Sequence, residues 1–309
     1  MIVTVTLNPA MDETVILDKL VRGETNRVRR SRTDPGGKGI NVSRVLRELG
    51  AETLAMGFVS GSVGRFIEAS LNELGIRDDF IHTPGQTRTN VVIVEEDNNL
   101  NTTISVPGPE TSPHFVVELK QRLKKQLKEG TWVVFAGSLP PPLPPDTYVE
   151  LIDLAHSCGA RAVLDASGEP LVLGMRRCPI MIKPNQQELS QIVGRKLTSI
   201  EEVLAQAWEV HKAGIRYVVV SMGGEGAIGV GDAEAWLAKP PRIKVGSAVG
   251  AGDSMVAGIV HVLSNGGDFV EGLRLGTAAG AASAQSIGTQ LAEAQDILKL
   301  LPEVQMTRL

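Results

Sequence analysis

The sequence predicts an α/β fold of three layers, in which helices cover both faces of a mainly parallel β-sheet and a small second sheet lies apart. Apolar runs rich in Val, Ile and Leu alternate with segments of helical periodicity, as parallel strands and their crossover helices do. Two other segments alternate polar and apolar residues, which is typical of strands with one wet face. The chain after residue 253 is almost wholly helical and rich in Ala and Gly.

Each element can be assigned in chain order. Six apolar runs are predicted to be buried strands of the main sheet: residues 2–7, 53–59, 131–138, 160–167, 180–185 and 216–222. Five segments between them have helical spacing: residues 39–50, 64–75, 114–130, 146–159 and 199–214. The two alternating segments, at about 10–33 and 86–107, are interpreted as a discontinuous β lid with a turn at residues 97–99. The length of the chain allows one large domain or two smaller ones.

Composition limits the function. The chain has 309 residues, of which 42% are apolar and 21% charged, as in soluble globular proteins. Its net charge of −4 argues against a nucleic-acid or membrane partner. The chain start lacks the features of a signal peptide, and no apolar run approaches the roughly 20 residues that span a bilayer. Two cysteines without metal-ligand or CxxC spacing, Cys158 and Cys178, indicate a reduced, cytoplasmic setting.

The stretch GSAVGAGDSMVAG (246–258) predicts a glycine turn that opens a helix. Backbone N–H groups at such a turn bind anions, above all phosphate. Gly250, Ala251 and Gly252 are therefore a candidate anion hole. A carboxylate beside it, Asp253, could take the proton from a hydroxyl that attacks phosphorus. An ordinary Asp N-cap with turn glycines is the alternative.

A second glycine turn opens a helix in DPGGKGINVSRVLRELG (34–50). It places Lys38 and Asn41 at the start of that helix, and its glycines would let a sugar or polyol lie against bare backbone. A plain strand-to-helix turn with a capping motif is the alternative.

The stretch KPNQQEL (183–189) follows a predicted strand and is a candidate metal site. Asn185 and Glu188 share one face of a first helical turn. Two oxygen ligands suit Mg²⁺, which keeps several waters. A capping box is the alternative.

Other motifs exclude competing classes. No GxxxxGK[ST] P-loop and no GxSxG nucleophile elbow occur. GEGAIG (224–229) matches GxGxxG, but strand and turn residues follow it where a dinucleotide fold needs a helix. It is interpreted as a β-turn-β along a nucleotide, which disfavours a nicotinamide oxidoreductase. The five histidines have no ligand spacing.

These stretches together resemble a known family. GGKGINVSRVLRELG and SAVGAGDSMVAG resemble the two signatures of the phosphofructokinase-B group of ribokinase-like sugar kinases. KPNQQEL, AGSLP and SMGGEGA stand in the same order and spacing, and the resemblance covers essentially the whole chain. The resemblance implies that the chain, 1–309, forms a single ribokinase-like domain and is an ATP-dependent kinase. TVTLNPAMD, RGETN, TRTNV, WLAKPP and GAGDSM most resemble members that convert D-fructose 1-phosphate to fructose 1,6-bisphosphate. Close relatives phosphorylate fructose 6-phosphate or tagatose 6-phosphate.

The resemblance also implies roles for individual residues. Asp253 matches the general base, with the anion hole at Gly250, Ala251 and Gly252. Positions that hold sugar hydroxyls match Asp12, Gly36, Gly37 and Asn41. Positions near the substrate's own phosphate match Lys38, Arg88, Ser138 and, on a looser alignment, Arg27. The positions beside the nucleotide phosphates and Mg²⁺ correspond to Lys183, Asn185 and Glu188. The wall beside the nucleotide matches Ser221, Gly223 and Gly226.

The implied partners are ATP, a sugar phosphate, Mg²⁺ and a second copy of the chain bound through the lid, with a monovalent cation such as K⁺ left open. Two positions depart from the family pattern: Ala248 replaces the usual threonine before VGAGD, and Pro142 replaces the usual glycine after SLPP. A non-catalytic regulator that binds sugar phosphates is the remote alternative. Such a regulator would be expected to have lost the base or the metal pair, or to carry an added DNA-binding module. The sequence instead retains Asp253, Asn185 and Glu188, and no segment is left over for such a module.

Overall fold

A ten-stranded sheet runs through the computed structural model, which describes residues 1–97 and 100–309. Its spatial order is β14-β13-β12-β11-β10-β9-β8-β1-β4-β5. Seven of these strands are parallel: β1 (Ile2–Thr6), β4 (Thr53–Val59), β5 (Arg77–His82), β8 (Trp132–Ala136), β9 (Arg161–Asp165), β10 (Met181–Ile182) and β11 (Tyr217–Ser221). The six predicted main strands are confirmed. Every residue of β1, β4 and β8 is buried, because helices cover both faces of the sheet.

Strand β5 escaped prediction because three of its six residues are charged. It forms one edge of the sheet, where it pairs only with β4, and an edge strand tolerates such residues.

The other end of the sheet is antiparallel. Strand β11 is followed by β12 (Ala227–Gly231), β13 (Glu234–Lys239) and β14 (Gln305–Arg308). The predicted β-turn-β at GEGAIG is the β11–β12 connection, with a short 3-10 turn at Gly223–Glu225. Strand β14 was not predicted, because its short sequence QMTR carries little apolar signal.

Helices lie on both faces. One face carries α1 (Lys38–Glu48), α8 (Ala251–Ser264), α9 (Phe269–Gln285) and α10 (Ala294–Leu300), whose apolar residues pack with those of β1, β8 and β11. The other carries α3 (His114–Gln126), α4 (Thr147–Ser157), α5 (Gly168–Met175), α6 (Gln186–Ile192) and α7 (Ile200–Lys212). Helix α2 (Gly61–Glu73) packs in a smaller cluster with β4 and β5. Within the described residues, no helix combines the length and apolar content that crossing a bilayer requires.

A separate four-stranded sheet has the order β3-β2-β6-β7. Its strands are β2 (Ala10–Leu17), β3 (Arg30–Gly36), β6 (Arg88–Glu95) and β7 (Leu100–Ile104). They fall almost entirely in the two predicted segments, so the small second sheet is confirmed. The turn predicted at 97–99 includes Asn98 and Asn99, which lie outside the described residues.

The candidate site residues lie at the carboxyl ends of the parallel strands, along one side of the main sheet. The carboxyl ends of β9, β10 and β11 reach this side, and the amino ends of α1 and α8 face it. Ligands of open α/β sheets bind at the carboxyl ends of the strands. This side is therefore the place to look for a site.

Candidate active site

The amino end of α8 forms a tight glycine turn. Gly250 is the N-cap residue and has φ 76°, a left-handed conformation that favours glycine. A methyl group built on Gly252 would lie only 3.0 Å from Nζ of Lys183, so this ammonium lies against the backbone of the turn. The N–H of Ala251 donates to the carbonyl of Ala248 at 3.4 Å, and the Lys183 ammonium lies at the next residue of the turn. The positive end of the helix and a lysine ammonium therefore lie side by side.

Asp253 is the third residue of α8 and is only 6% exposed. Its Oδ2 accepts a hydrogen bond of 2.8 Å from Nδ2 of Asn41, one turn into α1. Burial raises the pKa of Asp253 to about 6, against the opposing effects of Lys38, Asn41 and Lys183. A carboxyl group of this kind is ionised at neutral pH yet basic enough to accept a proton.

Asp165 ends β9, is fully buried, and was not predicted from the sequence. Its Oδ1 lies 3.0 Å from Nζ of Lys38 and 3.6 Å from Nζ of Lys183. Burial opposes ionisation, but the two ammonium groups hold the pKa of Asp165 below its usual value. Its second oxygen, Oδ2, is buried without a partner among the described residues. The only sequence signal for Asp165 is a carboxylate at the carboxyl end of an apolar strand.

Lys38 joins this cluster from the first residue of α1. The pKa of Lys38 is raised because Asp165 and Asp253 outweigh its burial, so the lysine stays cationic. Lys38 therefore lies at the Asp165–Asp253 end of the site. Its predicted contact with the substrate's own phosphate remains a prediction.

Asn185 and Glu188 form the capping box that the sequence left as an alternative. Oδ1 of Asn185 accepts from the Glu188 N–H, and Oε2 of Glu188 accepts from the Asn185 N–H, each at 2.8 Å. No group of three or more His, Cys, Asp or Glu residues in the described chain is arranged to hold a metal ion. The residues nevertheless fit Mg²⁺ held jointly with phosphates. Glu188 keeps a second carboxylate oxygen, and the unpartnered oxygen of Asp165 is of the same chemical kind.

The small sheet closes the other end of the site. Asp12 on β2 is buried, and its Oδ1 accepts a bond of 2.8 Å from Nδ2 of Asn90. Burial raises the pKa of Asp12, and Asn90 and Arg88 counteract it. A methyl group on Gly36 would overlap the Asp12 carboxylate, while Gly37, with φ 111°, is the N-cap of α1. Asp12 and the two glycines therefore lie close together, and their binding of sugar hydroxyls remains a prediction.

The three other predicted phosphate contacts differ in their surroundings. The guanidinium of Arg88 donates to the carbonyls of Asn8, Pro9 and Val106, at 3.0, 3.4 and 2.9 Å. The exposed hydroxyl of Ser138 accepts from Nδ2 of Asn8 at 3.1 Å. Arg27, in the loop between β2 and β3, makes no hydrogen bond or ion pair with the rest of the described chain. A phosphate role for these residues remains a prediction.

The predicted nucleotide wall adjoins the capping box. Ser221 ends β11 and donates its N–H to the carbonyl of Pro184 at 3.1 Å. Ser221 also pairs with Asn185 in an isolated parallel bridge. Gly223 and Gly226 have positive φ angles of 60° and 96°, and nothing lies within 4 Å of a methyl group built on Gly223. An open turn therefore borders Lys183 and Asn185.

The two departures from the family pattern leave this geometry intact. The neighbour of Ala248, Ser247, accepts a bond of 3.3 Å from the Val249 N–H and so supplies a hydroxyl to the loop. Pro142 lies in the turn before α4, outside the cluster around Asp253.

A sugar-kinase fold has the same combination of a layered main sheet, a separate small sheet and a glycine turn that opens a helix such as α8. The chain belongs to the pfkB family of carbohydrate kinases, whose pattern matches residues 5–296, and it is an ATP-dependent carbohydrate kinase. A 1-phosphofructokinase of Bacillus subtilis is 39% identical over the full length of both chains. A solved structure of phosphofructokinase-2 from Escherichia coli in complex with substrates and products is 31% identical, covers 98% of each chain and has a TM-score of 0.94. The same protein in complex with potassium gives a TM-score of 0.92 at the same identity and coverage.

Proposed function

We propose that this kinase transfers the γ-phosphoryl group of ATP to a ketohexose phosphate, with D-fructose 1-phosphate as the first choice and fructose 1,6-bisphosphate as the product. One observation carries the mechanism. A buried carboxylate with a raised pKa, Asp253, lies at a helix amino end beside two lysines. The names of relatives such as the Bacillus subtilis protein support the choice of substrate.

Each group then has a proposed task. Asp253 accepts the proton of the acceptor hydroxyl as the hydroxyl oxygen bonds to the γ-phosphorus, while the bond from that phosphorus to the bridging oxygen breaks and ADP leaves. Asn41 holds the carboxylate in place. The N–H groups of Gly250, Ala251 and Gly252 and the ammonium groups of Lys38 and Lys183 stabilise the charge on the transferred group. Asp12, Asn41 and the Gly36–Gly37 backbone bind the sugar hydroxyls.

Two further groups of residues complete the proposal. Arg88, Ser138 and Arg27 bind the phosphate that the sugar already carries, while Ser221, Gly223 and Gly226 border the nucleotide. Mg²⁺ would be held by Glu188 and Asp165, with Asn185 supporting, and would neutralise charge on the ATP phosphates. The small sheet acts as a lid within a single domain, 1–309, and exclusion of water by this lid limits ATP hydrolysis.

Three expectations accompany this function. The second copy of a homodimer binds through the lid, and K⁺ supports activity, as the potassium complex of the solved relative suggests. The reaction takes place in the cytoplasm, since both cysteines are free.

The test is an ADP-release assay with ATP, Mg²⁺ and a panel of acceptors: fructose 1-phosphate, fructose 6-phosphate, tagatose 6-phosphate, ribose and adenosine. We expect the highest kcat/KM with fructose 1-phosphate, and higher activity in KCl than in choline chloride. Asp253→Asn should lower kcat by at least about a hundredfold, the range attributed to a general base. Near-normal turnover in this variant would overturn the mechanism. A higher kcat/KM with another acceptor of the panel would identify that acceptor as the substrate in place of fructose 1-phosphate.

A further inference from the structure

One loop contacts both the small sheet and the turn at α8. This bridging loop, residues 286–292, follows α9. At its centre the hydroxyl of Thr289 donates to Oδ2 of Asp34 on β3 at 2.9 Å and lies 3.1 Å from the hydroxyl of Thr14 on β2. The Thr289 N–H also donates to the Thr14 hydroxyl at 3.2 Å. All three side chains are buried, at 4% exposure or less, so these bonds are shielded from water.

The end of the same loop contacts the glycine turn at the start of α8, residues 250–252, which we call the anion turn. The N–H of Ala292 donates to the hydroxyl of Ser283 at 2.9 Å, and Ser283 lies 2.6 Å from the hydroxyl of Ser254. Ser254 in turn donates to the carbonyl of Gly250 at 2.8 Å. Leu291 packs so closely on Gly250 that a methyl group there would overlap it. The lid contact, at Thr289, and the contact to the α8 turn, at Leu291, are thus only two positions apart in the chain.

Asp34 lies directly beside the sugar pocket. It is the cross-strand partner of Asp12 in the β2–β3 pair, on the same face of the sheet. Arg44 on α1 donates to Oδ1 of Asp34 at 3.2 Å and to the carbonyl of Pro35 at 3.0 Å. Thr14 on β2 and Asp34 on β3 form the base of the lid. A shift of this lid base would displace both the bridging loop and α1, the helix that carries Asn41.

We propose that Thr289 and Asp34 form a positioning pair that couples sugar-phosphate binding at the lid to ATP binding at the anion turn. The inference rests on the proposed function, because it needs both ligands. A ligand that orders the lid base also orders the loop behind Gly250, so the second ligand meets a turn that is already ordered. The coupling is reciprocal: each ligand tightens the binding of the other by the same factor.

Thr289→Val removes the hydroxyl with little change of volume, and Arg32 Nε still donates to the same Asp34 oxygen at 2.9 Å. Calorimetry would measure the Kd of the best panel sugar phosphate with and without saturating Mg²⁺ and a non-hydrolysable ATP analogue. We expect the analogue to tighten binding at least about fivefold in the wild type. It should have less than a twofold effect in Thr289→Val and retain its effect in Thr289→Ser. Thr33→Val, an exposed threonine beside Asp34, is the matched control and should behave as the wild type.

Asp34→Asn should also reduce the coupling, and combining it with Thr289→Val should produce no further loss. If Thr289→Val proves unfolded by circular dichroism, Asp34→Asn carries the same test alone. The inference is overturned if a folded Thr289→Val keeps the wild-type coupling, or if the two ligands bind an active wild type independently. Failure of every panel sugar to be phosphorylated would instead reject the proposed function.

Discussion

Among single residues, Asp253 determines how activity should depend on pH. Asp253 is the proposed general base and must be ionised to act, and burial raises its pKa to about 6. We therefore expect kcat/KM to fall as the pH decreases through about 6, since kcat/KM reports groups of the free enzyme. Lys38 is the charge that lowers this pKa most, so Lys38→Met should move the acid limb to higher pH. If the acid limb of the pH profile lay near pH 4, or if Lys38→Met did not move it, Asp253 would not be the base.

The same carboxylate should reduce the stability of the fold. Its folded pKa lies above the unfolded value, so the protonated form is favoured in the native state and the stabilising effect is lost as pH rises through about 6. At pH 8 the buried charge should cost on the order of 2–3 kcal/mol, at about 1.4 kcal/mol per pKa unit. Asp253→Asn should then be more stable than the wild type by urea unfolding.

The difference should shrink as the pH falls from 6 towards 4, where the wild-type carboxyl becomes protonated. Equal stability of the two proteins at pH 8 would mean that Asp253 is not desolvated. Measuring the same variant for stability and for ADP release separates this effect from catalysis.

On the scale of one element, the first turn of α8 depends on the absence of a side chain at Gly252. Gly252 lies inside the helix, so alanine there suits the backbone and should keep or slightly raise stability. Its methyl group would nevertheless lie 3.0 Å from Nζ and 3.4 Å from Cε of Lys183 and displace the ammonium. We expect Gly252→Ala to raise the KM for ATP at least about tenfold while the thermal unfolding temperature is kept. An unchanged KM would show that Lys183 does not act at this turn.

Across the whole molecule, the sequence predicts elements better than contacts. The parallel strands were predictable because their apolar runs need cover on both faces, and β5 and β14 were missed because they are edge strands with polar side chains. The glycine turns pointed to the candidate anion hole and to Gly36 and Gly37, whereas Asp12 came only from the family resemblance. Asp165 could not be located, since its importance comes from two lysines 127 and 18 residues away in the chain. Contacts as remote as Thr289 with Asp34 leave no local pattern at all.

The exposed edge of the small sheet suggests where the proposed dimer forms. Strand β7 is an edge of the small sheet, all five of its residues are exposed, and Leu100 and Ile104 are 54% and 51% exposed. Unpaired edges with exposed apolar side chains favour association with another chain. Sedimentation velocity should give a species of about twice 32.9 kDa for the wild type and a monomer for Ile104→Asp. Val117→Asp is the control, because Val117 is equally exposed, at 55%, on α3. A monomeric wild type, or an Ile104→Asp variant that still dimerises, would remove the lid from the interface.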